Sequence, residues 1–489
     1  MKLSELISKL DYEVISGSTD IEISDVIYDT RRLVPNSAFV CIKGAKLDSH
    51  TLAGEAAEKG AIAIVCEDAV DVPDNVTVIK TNDTRTALAE MAAAYYGYPA
   101  EKLVTIGVTG SKGKTTTTYM IKAILEKAGY KTGLIGSIGA LIGDEKKKTI
   151  NTTPESYEVQ RLFKEMYDAG CKYVVMEASS QGLMLRRTAG FVFDYGIFLN
   201  ISRDHISPWE HKSLEEYLHC KSLLLRQCKV GVVNGDDPQI DKVLEGHTCD
   251  IVKFGFGDFN DIVVDSFETV MKPGYMGVKY STKGKYEDEI TVGSPGRFSI
   301  YDSLSAACVC HMCGIDKSVI STALEEIEIR GRAERVKIDA PFTVLLDFAH
   351  NGIGVQNLIS AVKAYNPNRI IAVFGSDGNR TKIRRADAGE ILGNMADFTI
   401  LTSNCPRFEK VEDINNEIKV GLDRTTGKYT EIVDRRTAIK HAMKMAEEGD
   451  IILLIGKGHW DYEEINGVKY PFDERVVVTE LWEEIKNEK

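Results

Sequence analysis

Short apolar runs separated by amphipathic stretches form the main pattern of this chain. The runs are rich in β-branched residues, and polar residues or glycine follow each at once: Leu103–Val108, Tyr173–Met176, Gly196–Ile201, Val230–Val233, Val344–Leu346, Ile370–Phe374, Phe398–Leu401 and Ile451–Ile455. Runs of this kind are typical of strands buried on both faces of a parallel sheet. The pattern therefore predicts an α/β protein whose ligands bind at the carboxyl ends of its strands.

The length of the chain predicts several domains. At about 100–200 residues per domain, the 489 residues suffice for two to four. The loop Tyr96–Pro99 and the segment Arg330–Arg332 interrupt the alternation of strands and helices. We therefore predict domains at residues 1–98, 99–332 and 333–489.

Composition and charge exclude several classes of protein. The hydrophobic fraction of 43% and charged fraction of 27% are those of a globular enzyme. A net charge of -13 argues against a general nucleic-acid binder. No apolar run approaches the ~18 residues of a membrane span, and Met1–Glu5 lacks the start of a signal peptide. We expect a monomeric cytoplasmic protein that does not bind membranes.

The ten cysteines are expected to be free thiols. One cluster could suggest a metal site: Cys308, Cys310, His311 and Cys313 lie in the apolar stretch Ser303–Gly314, which is typical of a helix ending at glycine. Four ligands within about one and a half helical turns cannot all face one zinc ion. Core packing is therefore favoured over metal binding.

A phosphate-binding loop is the clearest motif. Gly107–Thr116 reads Gly-Val-Thr-Gly-Ser-Lys-Gly-Lys-Thr-Thr and connects a predicted strand to a predicted amphipathic helix. Backbone N–H groups in such a loop approach phosphate oxygens, and the helix N-terminus adds a favourable field. We predict that ATP contacts Gly110, Ser111, Lys112, Gly113, Lys114, Thr115 and Thr116. Lys114 would reach the β- and γ-phosphates, and Thr115 would ligate Mg²⁺.

Two further predicted strands end near candidate metal ligands. Glu177 follows Tyr173–Met176, and Asp204 and His205 follow Gly196–Ile201. An acid and a histidine at neighbouring strand ends either ligate a cation or pair structurally, and Asp204 could equally cap a helix. The phosphate loop favours the metal, because phosphoryl transfer needs Mg²⁺ to neutralise charge.

Lys221 completes the set of candidate catalytic residues. It lies on a predicted helix whose apolar stripe includes Leu214, Tyr217 and Leu218. A lysine on such a stripe usually extends its ammonium group to solvent. The stripe alone predicts no more than this.

The order of the motifs resembles the Mur ligase family, and within it the MurE-type UDP-N-acetylmuramoyl-tripeptide synthetases. The resemblance rests on the phosphate loop together with Asp29–Arg31, Asn151–Pro154, Met176–Ser180, Asn200–His205, Tyr217–Lys221, Asp347–His350 and Gly456–His459. It covers nearly the whole chain. It implies a three-domain α/β architecture with a UDP-binding N-terminal domain, a central parallel-sheet domain that carries the phosphate loop, and a Rossmann-like C-terminal domain that binds an amino acid.

The resemblance implies an ATP- and Mg²⁺-dependent ligase of peptidoglycan synthesis. Such an enzyme adds a diamino acid to UDP-N-acetylmuramoyl-L-alanyl-D-glutamate through an acyl phosphate. Two alternatives stay open: a folylpolyglutamate synthetase or another ligase of the superfamily, and a nucleotide-binding module without catalysis. Asp29–Arg31 and Asn151–Pro154 favour the MurE type, and the intact Lys114 and Lys221 argue against lost catalysis.

The resemblance also implies roles for individual residues. The catalytic group would be Lys114, Glu177, His205 and Lys221, with a carbamate on Lys221 and with Thr115, Glu177 and His205 at the metal. Arg332 and Asp347 would add contacts to ATP. The UDP-linked substrate would contact Thr30, Arg31, Thr152, Thr153, Ser179, Gln181 and Arg187. The incoming amino acid would contact Arg380, Asn404, Cys405, Arg407, Gly456 and Trp460.

Departures from the family pattern concern adenine and the amino acid. Ser299 and Asp302 replace two asparagines, which leaves the adenine contacts undefined. Asn404 and Trp460 replace two acids that could hold an ammonium group. Arg407 remains, and its guanidinium suits a distal carboxylate, which favours meso-diaminopimelate. L-lysine stays open because Asp204–His211 resembles lysine-adding members, and Arg407 could instead pair with Glu409 or Asp413.

Overall fold

The computed structural model describes residues 1–44, 47–202, 206, 210–272, 275–379 and 382–488. The chain divides into two compact units. Unit 1 comprises Met1–Val264, Lys283–Glu287 and Tyr301–Ile320, and unit 2 comprises Asp265–Thr282, Asp288–Ile300 and Ser321–Lys489.

Helices and strands alternate along most of the chain. The helices are α1 Leu3–Leu6, α2 Ala53–Glu58, α3 Thr84–Tyr95, α4 Lys114–Lys127, α5 Ser156–Asp168, α6 Ser180–Met184, α7 Leu214–Ser222, α8 Ile240–Val243, α9 Arg297–Met312, α10 Lys317–Glu325, α11 Gly352–Lys363, α12 Ile383–Met395, α13 Val411–Leu422, α14 Arg435–Met445 and α15 Glu474–Glu488. Short 3₁₀ segments lie at Thr30–Arg32, Ser49–Leu52, Pro99–Lys102 and Leu223–Arg226. The strands are β1 Tyr12–Ser16, β2 Val26–Ile27, β3 Ser37–Val40, β4 Ala61–Cys66, β5 Thr77–Thr81, β6 Val104–Thr109, β7 Thr132–Gly136, β8 Gly139–Ile142, β9 Glu145–Lys147, β10 Tyr173–Glu177, β11 Phe193–Phe198, β12 Cys228–Asn234, β13 Asp250–Gly255, β14 Ile262–Lys272, β15 Tyr275–Gly284, β16 Glu289–Val292, β17 Glu334–Arg335, β18 Thr343–Asp347, β19 Ile370–Phe374, β20 Phe398–Leu401, β21 Tyr429–Glu431, β22 Ile451–Ile455, β23 Tyr462–Ile465 and β24 Val468–Pro471.

Unit 1 contains a small N-terminal sheet. Its strand order is β1-β5-β4-β3-β2, in which β2 to β5 run parallel and β1 is antiparallel to β5. Helix α3 packs Leu88 and Met91 into the same core as Val40, Val65 and Ile79. This arrangement agrees with the α/β class predicted for the chain.

The larger sheet of unit 1 carries the phosphate loop. Its neighbouring strands follow the order β13-β12-β11-β6-β10-β7, all parallel, and the antiparallel strands β8 and β9 continue it beyond β7. Strand β14 begins in unit 1 parallel to β13 and ends in unit 2. The carboxyl ends of β6, β10 and β11 therefore lie side by side, at the position where ligands bind to such sheets.

The predicted limits of one strand were wrong. Strand β11 spans Phe193–Phe198 rather than Gly196–Ile201. Asp194 broke the apolar pattern, but its carboxylate accepts from the Thr105 amide at 2.8 Å and pairs with Lys229 at 2.7 Å. Because these partners satisfy the carboxylate, the strand begins earlier, and Asn200 falls in the following loop.

Unit 2 contains a doubly wound sheet of order β17-β18-β22-β19-β20-β21, parallel except for β17. Alternate residues of β19 enter different cores: Ala372 and Phe374 face α11 to α13, whereas Ile371 and Val373 face α14 and α15. The fully apolar run Ile370–Phe374 follows from this burial on both faces. The predicted α/β architecture is confirmed, and the domain limits at residues 98 and 332 stay a prediction.

The cysteine-rich stretch is part of the core. It forms the end of α9, which begins at Arg297 rather than Ser303. Cys308 and Cys310 are buried and His311 is exposed. All ten cysteines are free, as predicted. Among the described residues, no helix is long and apolar enough to cross a membrane.

Candidate active site

The phosphate loop lies between β6 and α4, as the sequence predicted. Helix α4 begins at Lys114, and Gly113 before it has a φ of +88°. A side chain at Gly113 would also place its Cβ 2.2 Å from Asp302 Oδ1. Only glycine fits there, because both the backbone conformation and the space exclude a side chain.

Asn200 holds the loop in place and received no role from the sequence. Its Oδ1 accepts from the Lys112 amide at 2.9 Å, and its Nδ2 donates to the Lys112 carbonyl at 3.2 Å. The Ser111 amide donates to the Asn200 carbonyl at 2.9 Å. A polar residue shortly after a strand could have been recognised as part of a site. The predicted strand Gly196–Ile201 included Asn200, however, so this position was not recognised.

Two lysines converge on the carbonyl oxygen of Gly110. Lys114 Nζ and Lys221 Nζ each donate to this oxygen over 2.8 Å. The Lys221 side chain is 2% exposed, so the expectation of an ammonium group extended to solvent was wrong. Its apolar stripe faces the interior, where the ammonium also lies 4.6 Å from the centre of the Tyr217 ring.

Glu177 ends β10 in a buried, hydrogen-bonded position. Its Oε1 accepts from Thr115 Oγ1 and from the Ser137 amide, both over 3.0 Å. Its Oε2 accepts from Ser137 Oγ at 3.1 Å. Ser137 is therefore a second residue whose part in the site the sequence did not reveal.

The pair Thr115 and Glu177 fits an octahedral magnesium ion. Cis oxygen ligands about 2.1 Å from such an ion lie about 3 Å apart. The Thr115 Oγ1–Glu177 Oε1 distance is 3.0 Å. The third predicted ligand, His205, lies outside the described residues together with Asp204.

Four of the residues predicted to bind the UDP-linked substrate line one cleft with both lysines. The cleft of about 180 Å³ is lined by Thr152, Ser179, Gln181 and Arg187, together with Lys114, Lys221, Asn151, Ser180, Glu210, His211 and Tyr217. His211 is buried there, with Nε2 2.8 Å from Ser180 Oγ. The sequence did not single out His211, because a lone histidine carries no spacing signal.

Thr153 and Arg187 also organise the wall of this cleft. Thr153 is fully buried, and its hydroxyl donates to the Glu177 carbonyl at 2.8 Å and accepts from the Ser179 amide at 3.0 Å. Arg187 donates to the Thr153 carbonyl at 3.1 Å and pairs with Glu155 at 2.9 Å. Thr153 therefore supports the residues that face the cleft.

Thr30 and Arg31 lie in the N-terminal part of unit 1 and are not among the residues lining this cleft. They form the 3₁₀ segment Thr30–Arg32 after β2. Arg31 Nη2 pairs with Asp29 at 2.7 Å, and its hydrogen bond lowers the pKa of the Asp29 carboxyl. The Arg31 side chain is largely exposed. Its role in UDP binding stays a prediction.

One group of described residues has the spacing of metal ligands: Asp48, His50 and Asp68. Both ring nitrogens of His50 are engaged. Nδ1 lies 2.6 Å from Asp48 Oδ1, and Nε2 accepts from the Glu67 amide at 2.9 Å. The histidine thus has no lone pair left for an ion.

The remaining predicted ATP residues lie in unit 2. Asp347 ends β18 and accepts from the Ala333 and Ala349 amides, each over 2.7 Å. The Arg332 guanidinium lies 5.1 Å from the centre of the Phe348 ring. Ser299 Oγ bonds to Pro295 O at 2.9 Å inside unit 2. The ATP contacts of Arg332 and Asp347 stay a prediction.

The loops predicted to bind the amino acid follow strands β20 and β22 of unit 2, which flank β19 in the sheet. Asn404 follows β20 and Gly456 follows β22, and a Cβ on Gly456 would come 3.1 Å from Asn404 Nδ2. The Trp460 ring stacks on Tyr462 at 5.5 Å. Cys405 is fully buried, which raises its thiol pKa. Arg380 lies outside the described residues.

Arg407 has a different partner from those considered. Its Nε lies 3.6 Å from Glu464 Oε2, and its amide donates to the Glu464 carbonyl at 2.9 Å. Glu409 instead pairs with Arg385 at 2.8 Å. The alternative of pairing with Glu409 or Asp413 was wrong, because strand β23 brings Glu464 to Arg407 from far along the chain.

Comparison with known proteins agrees with this geometry. Residues 22–96 match the model of the Mur ligase family, catalytic domain; residues 108–310 match the Mur ligase middle domain; and residues 331–458 match the Mur ligase, glutamate ligase domain. The UDP-N-acetylmuramoyl-L-alanyl-D-glutamate--2,6-diaminopimelate ligase of Clostridium perfringens is 39% identical over 99% of this chain and 100% of its own.

Solved structures show the same likeness. A structure of a UDP-N-acetylmuramoyl-L-alanyl-D-glutamate--2,6-diaminopimelate ligase is 25% identical, has a TM-score of 0.74 and covers 99% of both chains. The MurF ligase from Thermotoga maritima in complex with ADP, at 18% identity and a TM-score of 0.61, shares the fold over 95% of this chain and 98% of its own. With a relative this similar over its full length, the chain belongs to the Mur ligase family of ATP-dependent amide ligases.

Proposed function

We propose that this ligase adds a diamino acid, meso-diaminopimelate in preference to L-lysine, to UDP-N-acetylmuramoyl-L-alanyl-D-glutamate. The observation that carries this proposal is the convergence of Lys114, Lys221 and the pair Thr115–Glu177 beside one cleft at the carboxyl edge of the sheet. The full-length likeness to a 2,6-diaminopimelate ligase supports the choice of substrates.

The phosphate loop is proposed to activate the substrate carboxylate. A carboxylate is a poor acylating group, and phosphorylation by ATP converts it into an acyl phosphate with a good leaving group. Backbone N–H groups of Gly110–Gly113 and the ammonium of Lys114 would stabilise charge on the phosphoryl group during its transfer. Asn200 keeps the loop in this shape through its bonds to Lys112.

Thr115 and Glu177 would hold Mg²⁺, and His205 is proposed as a further ligand. When bound, the ion neutralises negative charge on the phosphates. Ser137 orients Glu177 through both carboxylate oxygens. The burial of Glu177 keeps its ligand oxygens in one fixed orientation.

Lys221 is proposed to act as a carbamate. Its amine lies beside Gly110 O and lines the cleft with Lys114. A carbamate carries a negative charge, which would pair with Lys114 and contribute a further oxygen ligand near the phosphates. The buried, fixed position of the side chain suits that task better than a mobile surface lysine would.

The cleft residues are proposed to bind the peptide end of the UDP-linked substrate. Arg187 and Gln181 offer donors for its carboxylates, and Thr152 and Ser179 offer hydroxyls. Thr30 and Arg31 are proposed to contact the UDP end. In unit 2, Arg407 is proposed to bind the distal carboxylate of the amino acid in place of Glu464, which gives the preference for meso-diaminopimelate.

Phosphate release tests this function directly. The purified protein is assayed with ATP, Mg²⁺, UDP-N-acetylmuramoyl-L-alanyl-D-glutamate and a panel of amino acids, and the product is identified by mass spectrometry. We expect phosphate release that depends on all components, with kcat/KM highest for meso-diaminopimelate. A higher kcat/KM for L-lysine would contradict the proposed amino acid. Activity with a folate, or none with any amino acid, would contradict the proposed reaction.

A further inference from the structure

The predicted amino-acid loops of unit 2 lie beside an acid, Asp377, to which the sequence assigned no role. We propose that Asp377 supplies the negative charge that binds the distal ammonium group of the incoming amino acid. This inference rests on the proposed function, because it concerns the same substrate. It explains how the pocket can recognise an ammonium group although Asn404 and Trp460 stand where two acids were expected.

The side chain of Asn404 connects directly to Asp377. Asn404 Nδ2 donates to Asp377 Oδ1 over 2.9 Å. Asn404 is buried at 1% exposure, whereas Asp377 is only half-buried. The carboxylate therefore takes the more accessible position, and the amide beneath it fixes its orientation.

The loop that carries Asp377 is packed tightly on the loop that carries Asn404. The Gly378 amide donates to the Cys405 carbonyl at 2.9 Å. A Cβ on Gly378 would lie 1.8 Å from the Pro406 carbonyl oxygen, so only glycine permits this approach. Arg385 anchors the same loop by donating to the Asp377 carbonyl at 2.9 Å. The position of the Asp377 carboxylate is thus set by contacts across three segments.

The chemistry of the pair preserves one negative charge at this place. Two carboxylates at 2.9 Å would repel, so an acid at position 377 is compatible with an amide at position 404. The amide donates its N–H to the acid, which stabilises the charged carboxylate. In effect the pair keeps one carboxylate, which stands at position 377 instead of position 404.

The acids of β23, Glu463 and Glu464, also lie close to these loops, and each has another partner. Glu464 Oε2 lies 3.6 Å from Arg407 Nε, and Glu463 accepts from Ser403 Oγ at 2.6 Å. Both belong to β23, whereas Asp377 and Arg407 follow the adjacent strands β19 and β20. An acid and an arginine on neighbouring loops match a distal carbon that bears one ammonium and one carboxylate. The pocket therefore suits a zwitterionic end such as that of meso-diaminopimelate.

The test replaces the charge and compares substrates that differ in one group. Asp377→Asn is assayed with meso-diaminopimelate and with L-2-aminopimelate, which lacks the distal ammonium. A hydrogen bond to a charged group changes affinity about tenfold or more. We expect the KM for meso-diaminopimelate to rise by about that factor, with little change for L-2-aminopimelate. The KM values for ATP and the UDP-linked substrate should not change, and Asp413→Asn, an exposed acid on α13, serves as the matched control.

A swap of the two residues separates charge from folding. Asn404→Asp combined with Asp377→Asn returns a carboxylate to the same hydrogen-bonded pair, and we expect it to recover most of the lost selectivity. If Asp377→Asn destabilises the fold, the swap variant still reports on the charge. The role of Asp377 would be overturned if Asp377→Asn left KM and selectivity unchanged. It would also be overturned if the swap variant folded but did not recover the selectivity. A wild-type enzyme inactive with every amino acid would instead overturn the proposed function and this inference together.

Discussion

Lys114 and Lys221 bring two ammonium groups to one carbonyl oxygen. Each donates to Gly110 O over 2.8 Å. Like charges so close together are unfavourable unless an anion joins them, and both residues line the proposed substrate cleft. Phosphate oxygens would supply that anion next to Lys114, and a carbamate would reverse the charge at Lys221.

We predict that Lys114→Ala lowers kcat by about 100-fold or more, since one donor to a developing charge contributes that much. The fold should stay intact, because the half-buried side chain lines the cleft and is not part of the apolar core. Lys127→Ala, at the other end of α4, is the control for a lysine lost from the same helix. Steady-state phosphate release and thermal unfolding measure the two effects. Activity like that of the wild type would remove Lys114 from the mechanism.

We predict that Lys221→Ala is nearly inactive and partly revived by added short carboxylates such as formate or acetate. A small anion can enter the space left by the side chain and restore the charge that the carbamate supplied. Lys212→Ala, an exposed lysine just before α7, controls for non-specific effects of the anions. If added carboxylates do not revive an inactive Lys221→Ala, the essential feature is instead the hydrogen bond from the Lys221 ammonium to Gly110 O.

At the scale of secondary-structure elements, Arg435 ties two helices to two strand ends. This α14 residue donates to Glu474 of α15 at 2.7 Å, to the Ser403 carbonyl beyond β20 at 2.9 Å and to the Ile455 carbonyl of β22 at 3.2 Å. Both charged side chains have 0% exposure. The loops that follow β20 and β22 therefore rest on a buried ion pair.

We predict that Arg435→Met lowers the free energy of unfolding of unit 2 by about 3–5 kcal/mol, because it leaves the Glu474 carboxylate buried without its partner. Arg436→Met is the matched control, since this half-buried neighbour pairs with Glu480 and Glu484 at the surface, and its loss should cost less than about 1 kcal/mol. Denaturant unfolding followed by fluorescence of the buried Trp482 measures both. Adding Glu474→Gln should recover part of the loss, and equal costs for the two arginine variants would contradict the argument.

At the scale of the whole molecule, both units use the same construction. Parallel strands are buried on two faces, and the residues proposed to bind substrates lie at or directly after their carboxyl ends. In unit 1 these are Glu177 and the phosphate loop, and in unit 2 they are Asp347, Asn404 and Gly456. Nine of the ten cysteines are buried, including Cys405 in the loop after β20, and Cys313 is half-buried.

We predict that all ten thiols react in the unfolded protein without added reductant. In the native protein the reaction should be slow and should begin at Cys313, the one half-buried cysteine of the ten. Partial burial raises the pKa of Cys313 to about 11. Because the thiolate is the reactive form, its labelling rate should increase with pH up to that value. A hydrogen bond from Cys228 lowers the pKa of the Cys249 thiol, but burial restricts access to it. Fewer than ten thiols in the unfolded protein would reveal a disulfide.

The sequence by itself determined the features that depend on neighbouring residues. The apolar runs of β19, β20 and β22 and the strand–loop–helix context of Lys114 follow from local pattern, since burial on two faces requires continuous apolar residues. The positive φ that requires glycine at position 113 is likewise a local property of the backbone. The order of the motifs was enough to suggest the family, which the full-length relative confirms.

Only the tertiary structure decided the contacts between segments far apart in the chain. The sequence cannot show that Asn200 clamps the phosphate loop, that Lys221 turns inward to Gly110 O, or that β23 brings Glu464 to Arg407. Nor can it show that Asn404 holds the carboxylate of Asp377. Each of these is a hydrogen bond or ion pair whose partners come together only when strands and loops pack. The physical reason is that a polar side chain has many possible partners along the chain. The packing of the folded protein decides which of them it meets.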